Sequence, residues 1–256
     1  MPSPHSLQGR VAIVTGAGTG IGRATASVLA QHGATVVLAG RRPGPLEQAA
    51  TEIAALGPRA VAVPTDVTDP DQCEGLVDAV LGEFGRIDIL VNNAGGGSLK
   101  PLMEWSLQEW RDLLTLNLDS VWLLSRSAAV PMMAAGKGAI VNISSGASYL
   151  TMPNAAPYGV AKAGVNHLTG VLAAGLTPRG VRVNAIAVGA VDTGQLTDEA
   201  RRYLDEGSAF PGNAIGRIGR PEEIAYAVHF FASDASSYCS GQTLWINGGP
   251  KGEGGP

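Results

Sequence analysis

Cysteine is nearly missing from this chain. Cys73 and Cys239 are far apart, which excludes a CxxC redox pair and a disulfide framework. Two free thiols in a reducing compartment are the expectation. Aromatic residues are sparse at 5%, and charged residues make up only 16%. The net charge is −4 and the Lys and Arg residues are scattered, so no basic stripe is available for nucleic acid. Apolar runs break well short of the ~20 residues a membrane span needs. Met1–Gln8 holds no apolar segment of the secretory kind. A soluble, cytoplasmic protein without nucleic-acid or membrane partners is therefore expected. The four histidines, His5, His32, His167 and His229, have no paired ligand spacing, so no metal is expected. His167 reads as a helix-packing residue.

What the chain has in excess is glycine, 35 of 256 residues, within a 45% hydrophobic composition. Glycine without a collagen period suits tight turns and close helix–sheet packing. Apolar runs alternate with amphipathic segments. Strands are expected at Val11–Thr15, Val36–Ala39, Ala60–Val63, Ile87–Asn92, Ala139–Ser144, Val181–Val188 and Thr243–Ile246. Helices are expected at Gly20–Gln31, Pro45–Leu56, Asp71–Phe84, Ser106–Met133, Ala156–Leu176 and Pro221–Ala232. The strands are continuously apolar, as strands covered on both faces are. Strand–helix alternation then gives an α/β fold: a doubly wound (Rossmann) seven-stranded parallel sheet with helices on both faces. No linker-like stretch interrupts residues 1–256, which read as a single domain. The least regular region, about 189–219, is expected to be a substrate loop carrying a short helix at Thr197–Glu206. A frayed tail is expected at 251–256.

The first strand runs into Thr15-Gly16-Ala17-Gly18-Thr19-Gly20-Ile21-Gly22, and a helix follows at once. Such a turn lets the backbone approach a pyrophosphate, while the helix start offers free N–H groups and partial positive charge. Gly16, Thr19, Gly20, Ile21 and Gly22 are the candidate phosphate-side residues. The second strand ends in Ala39-Gly40-Arg41-Arg42. No carboxylate is there to bond the ribose 2′-OH of NAD, whereas two guanidiniums could hold the 2′-phosphate of NADP. NADP(H) is favoured, with NAD(H) as the alternative.

Tyr158-Gly159-Val160-Ala161-Lys162 places a phenol and an ammonium on one helix face. A nearby ammonium favours the phenolate and lowers its pKa, which would make Tyr158 a usable acid/base. Ser145 lies thirteen residues earlier, just past a strand's carboxyl end, where open α/β sheets bind ligands.

The glycine spacing, the Ile143-Ser144-Ser145 to Tyr158…Lys162 segment, Asn92-Asn93-Ala94-Gly95 and Leu116-Asn117-Leu118 together resemble the short-chain dehydrogenase/reductase family. The likeness spans Gly9 to Gly249. It implies hydride transfer between NAD(P)(H) and a carbonyl or secondary alcohol carbon. Ser145 and Tyr158 would hold the carbonyl oxygen, and Tyr158 would donate the proton. Lys162 would bond the nicotinamide ribose, and Asn117 would hold a relay water. The resemblance further implies Asp66 and Val67 at the adenine, and Asn93, Ala94 and Gly95 in the turn after the fourth strand. Gly189, Val191 and Thr193 would stand at the nicotinamide amide. Val188-Gly189 departs from the family's Pro-Gly, and Asn247 from its usual Asp. A homo-oligomer, tetramer or dimer, is also implied. The alternative function is a non-catalytic NADP(H)-binding redox sensor. Tyr149, Met152, Leu196, Tyr203 and Phe210 are candidates for an apolar substrate pocket. Ketones, 3-oxoacyl thioesters, steroids and sugar-derived alcohols all remain open as substrates.

Overall fold

The computed structural model describes residues 3–57, 59–194 and 212–249. Seven strands form one sheet: β1 (Val11–Thr15), β2 (Thr35–Gly40), β3 (Ala60–Pro64), β4 (Ile89–Asn92), β5 (Gly138–Ser145), β6 (Val181–Val188) and β7 (Thr243–Ile246). Their order is β3-β2-β1-β4-β5-β6-β7, and every pairing is parallel. The chain leaves β1 first toward β3 and then toward β7. The strand order therefore reverses between β1 and β4, and a crevice opens there at the carboxyl ends.

Side chains alternate across the strands, so each continuous apolar run feeds two cores. Ala12 and Val14 of β1 join Leu29, Leu46, Val228 and Phe231 on one face. Val11 and Ile13 join Leu76, Val80, Leu124 and Met132 on the other. Burying each of the larger side chains contributes about 1.5–3 kcal/mol. The covering helices are α1 (Gly20–Gln31), α2 (Pro43–Ala54), α3 (Pro70–Phe84), α4 (Leu107–Leu114), α5 (Ser120–Ala134), α6 (Ala156–Leu176) and α7 (Pro221–Ala232).

Local chemistry sets several ends. Asp69 caps α3 by accepting from the Asp71 and Gln72 amides, and Gly85 closes it in the left-handed region. Ser106 and Glu109 form a capping box on α4. α1 differs: Thr19 makes no side-chain cap and the first turn holds no carboxylate. Its leading N–H groups are left to face the crevice.

The helical stretch expected over Ser106–Met133 runs without a break from Leu107 to Ala134. Within it a single π-type turn, Thr115–Asp119, joins α4 to α5. Its centre is Asn117, whose Nδ2 donates to the Leu113 carbonyl at 3.0 Å, as a backbone N–H would in a regular helix. The expected helix at Thr197–Glu206 and the tail 251–256 lie outside the described residues. No described helix is long and apolar enough to cross a membrane.

Candidate active site

A cleft of about 610 Å³ runs along the carboxyl edge of the sheet from Arg41 and Arg42 to Tyr158. At its centre the ends of β1 and β4 are fastened together. The Thr15 hydroxyl accepts the Asn93 and Ala94 amides at 3.0 and 2.9 Å. Asn93 Nδ2 returns a bond to the Thr15 carbonyl at 2.8 Å. The glycine turn closes over this joint. A Cβ on Gly22 would stand 2.2 Å from the Gly16 carbonyl oxygen, so only glycine lets α1 start that close to β1. Gly16, Thr19, Gly20 and Ile21 line the cleft, and Gly22 supports them from behind. Thr193 packs on Gly20.

Arg41 and Arg42 stand exposed where β2 ends, and both line the cleft. Asp66 does not. Its Oδ1 accepts from the Thr68 amide and hydroxyl at 3.0 and 2.7 Å, and its neighbours Thr65 and Val67 line the wall instead. Those bonds, with the charge of Arg41, hold the Asp66 carboxyl below its ordinary range. Asn93, Ala94, Gly95, Gly189, Val191 and Thr193 line the middle and far side.

At the far end, β5 extends one residue beyond the expected boundary, so Ser145 is its last residue. α6 brings Tyr158 into the same cleft wall, where the serine hydroxyl favours the phenolate. Lys162, one turn further, is buried and donates to the Ile143 carbonyl at 2.8 Å. Its Nζ is 5.7 Å from the Tyr158 ring centre. Burial pushes the ammonium down to about 8. Burial also raises the phenol above its ordinary value, against a lowering by Ser145. The expected Lys162-driven depression of Tyr158 is therefore corrected. In this geometry the ammonium is turned to the Ile143 carbonyl, and desolvation of the phenol is the larger influence on it.

Asn117 is wholly buried behind the cleft. Its Oδ1 accepts the Gly96 amide at 3.1 Å, while Nδ2 donates to the Gly96 and Leu113 carbonyls at 2.8 and 3.0 Å. Both Nδ2 protons are taken, so a relay water could bond this side chain only at Oδ1. Asn117 thus ties the Gly95–Gly96 strip to α4.

Other expectations change. Tyr149 is 80% exposed and meets Trp245 edge-on, away from the cleft lining. Met152 is also exposed, while Leu196, Tyr203 and Phe210 lie outside the described residues. His167 is exposed on α6 rather than packed. Thr15, Thr65, Leu46, Leu116 and Ile143 are not among the site residues that the sequence singles out, although they build the cleft or its joint. Thr15 and Thr65 stand at strand carboxyl ends, a position that could have nominated them.

A family model described as enoyl-(acyl carrier protein) reductase matches residues 16–251. The chain is 42% identical to the cis-4-hydroxycyclohexanecarboxylate dehydrogenase of Sinomonas cyclohexanicum, over 94% of this chain and 96% of that protein. It is 36% identical to a 3-oxoacyl-(acyl-carrier-protein) reductase of Thermotoga maritima, over 95% and 98%. A crystal structure of a putative NAD(P)-dependent gluconate 5-dehydrogenase from Beutenbergia cavernae, with bound NADP at low occupancy, superposes with a TM-score of 0.88. The two are 41% identical over 96% of this chain and 98% of that one. Fold and cleft together define an oxidoreductase with an NAD(P)-binding Rossmann fold. Within that class the chain belongs to the short-chain dehydrogenase/reductase family, as an NAD(P)-dependent enzyme acting on CH–OH and C=O groups.

Proposed function

We propose that the protein transfers a hydride between NADP(H) and a secondary alcohol or ketone, with Tyr158 as the acid/base. The observation that carries the reading is that Ser145, Tyr158 and the buried Lys162 line the far end of the cleft that the glycine turn opens.

The residues fit a dinucleotide. α1 presents uncapped N–H groups and no first-turn carboxylate to a pyrophosphate. Gly16, Thr19, Gly20, Ile21 and Gly22 would shape that turn, with Asp66 and Val67 near the adenine and Asn93, Ala94 and Gly95 beneath. Gly189, Val191 and Thr193 would hold the nicotinamide side. Arg41 and Arg42, with no carboxylate at the end of β2, support NADP(H) over NAD(H). When bound, the nicotinamide supplies or accepts the hydride.

In reduction, the Ser145 and Tyr158 hydroxyls hold and polarise the substrate oxygen. Tyr158 then gives its proton to the developing alkoxide. The Ser145 hydroxyl favours the phenolate left behind, opposing the burial that resists it. Asn117 holds the Gly95–Gly96 backbone against Lys162. The names of the three relatives share a hydroxyl-bearing or keto carbon, which supports this substrate class and leaves the rest of the molecule open.

Initial rates of NADPH and NADH turnover over a panel of ketones and secondary alcohols provide the test. Turnover is expected with NADPH preferred, and Tyr158→Phe should lower it by about 10²–10⁴-fold. Near-normal turnover by Tyr158→Phe would remove the assigned acid/base. Cofactor binding with no turnover on any substrate would favour the sensor.

A further inference from the structure

Ser145 ends β5, and the short loop that follows it packs against α6. That loop, Gly146–Ser148, is one 3₁₀ turn closed by the Ala147 amide on Ser145 Oγ at 3.2 Å. Three contacts hold the end of β5 and this loop to α6. Ser144 Oγ donates to the Lys162 carbonyl at 3.2 Å. The Ala147 carbonyl oxygen lies 3.0 Å from where a Cβ on Gly159 would be. Asn166 Nδ2 donates to Ser148 Oγ at 2.8 Å. Tyr158, Lys162 and Asn166 follow one another at single-turn spacing on the helix.

The Asn166 side chain has a further property. Its Oδ1 is buried without a hydrogen-bond partner. Leaving an acceptor buried and unmet is unfavourable, and an apolar side chain with the same branching, such as leucine, would avoid it. Packing alone therefore argues against asparagine at this position. The bond to Ser148 is what the amide adds.

Resting on the function proposed above, we propose that Asn166 is a positioning residue for Ser145. Through Ser148 it fixes the far end of the loop, while Ser144 fixes the near end. Ser145 is thereby held at the phenol by the same rigid helix that carries Tyr158. Loss of the anchor lets the Ser145 hydroxyl drift, and small misplacements of a reacting group carry large rate penalties.

The test uses the full-length protein with Asn166→Leu, Ser148→Ala and the double variant, assayed as alcohol oxidation with NADP⁺ across pH. Each single variant is expected to lower kcat by about 10- to 100-fold, with KM for the cofactor and thermal stability near wild type. The alkaline-going limb of the pH profile should move upward, since the Ser145 hydroxyl that favours the phenolate is displaced. The double variant should be no worse than the worse single, as expected of one shared contact. Wild-type kcat and pH limb in both single variants would overturn the inference, as would losses that simply add. Should Asn166→Leu fail to fold, Ser148→Ala carries the same kinetic test. Tyr158→Phe assayed alongside separates the failures. Its inactivity with intact Asn166 and Ser148 variants sinks only this inference, whereas its normal turnover sinks the acid/base assignment itself.

Discussion

At the scale of single residues, the site joins groups whose charges burial resists. Tyr158 is pushed up and Lys162 down to about 8. The sequence spacing placed both on one helix face, but what governs the phenol depended on how deeply the fold buries it. Arg41 and Arg42 are simpler, being exposed and at the edge of the cleft. A charge-assisted hydrogen bond is worth about 1.5–3 kcal/mol. Replacing both arginines by alanine should therefore raise KM for NADPH by about 10-fold or more. KM for NADH, which lacks the 2′-phosphate, should stay near its starting value. Steady-state kinetics with the two cofactors check this, and an equal rise in both KM values would assign the arginines to something other than the 2′-phosphate.

At the scale of elements, the short helices and turns decide what periodicity could not. At the π-type turn Thr115–Asp119 the Asn117 side-chain amide donates to the Leu113 carbonyl. The apolar pattern reports the helical stretch as a whole but not this local change of hydrogen-bond partners. A second device joins three elements at the opposite edge of the sheet. His229 of α7 is buried and stacks on His32, at the end of α1, with ring centres 3.7 Å apart. Its Nε2 meets the His5 carbonyl at 2.7 Å. Burial, with the His32 and His5 rings adding to it, places the His229 pKa below its ordinary 6.5, against a raising by the His5 carbonyl. The unfolded chain therefore binds the proton first as the pH falls. The stabilisation is complete above about 6.5 and declines below it, by up to about 1.4 kcal/mol per pH unit. Thermal unfolding between pH 8 and 5 should show Tm falling more steeply for the wild type than for His229→Phe. Parallel curves would mean that His229 does not titrate differently on folding.

At the scale of the whole molecule, exposed apolar side chains remain after the two cores are filled. Trp122 and Val130 on α5, and Val160 and Val171 on α6, are among them. Such surface on neighbouring helices accords with self-association. A dimer or tetramer of the 26.1 kDa chain is the expected species in sedimentation velocity, and Trp122→Lys with Val171→Lys should shift it toward the monomer. A wild-type monomer at micromolar concentration would remove the oligomer.

The sequence by itself determined the parallel seven-stranded sheet, the strand–helix order, and the residues around the glycine turn and the Ser145–Tyr158–Lys162 segment. These depend on local properties: apolar runs without alternation, glycines where backbones must touch, and helical spacing. Only the tertiary structure decided that Asp66 bonds its own turn, that Tyr149 turns to Trp245, that Lys162 meets Ile143, and that Ser148 and Asn166 bracket the serine loop. Each of these is a choice among partners far apart in the chain or around a turn. Which partner wins is set by burial and hydrogen-bond reach, quantities that exist only once the chain has folded.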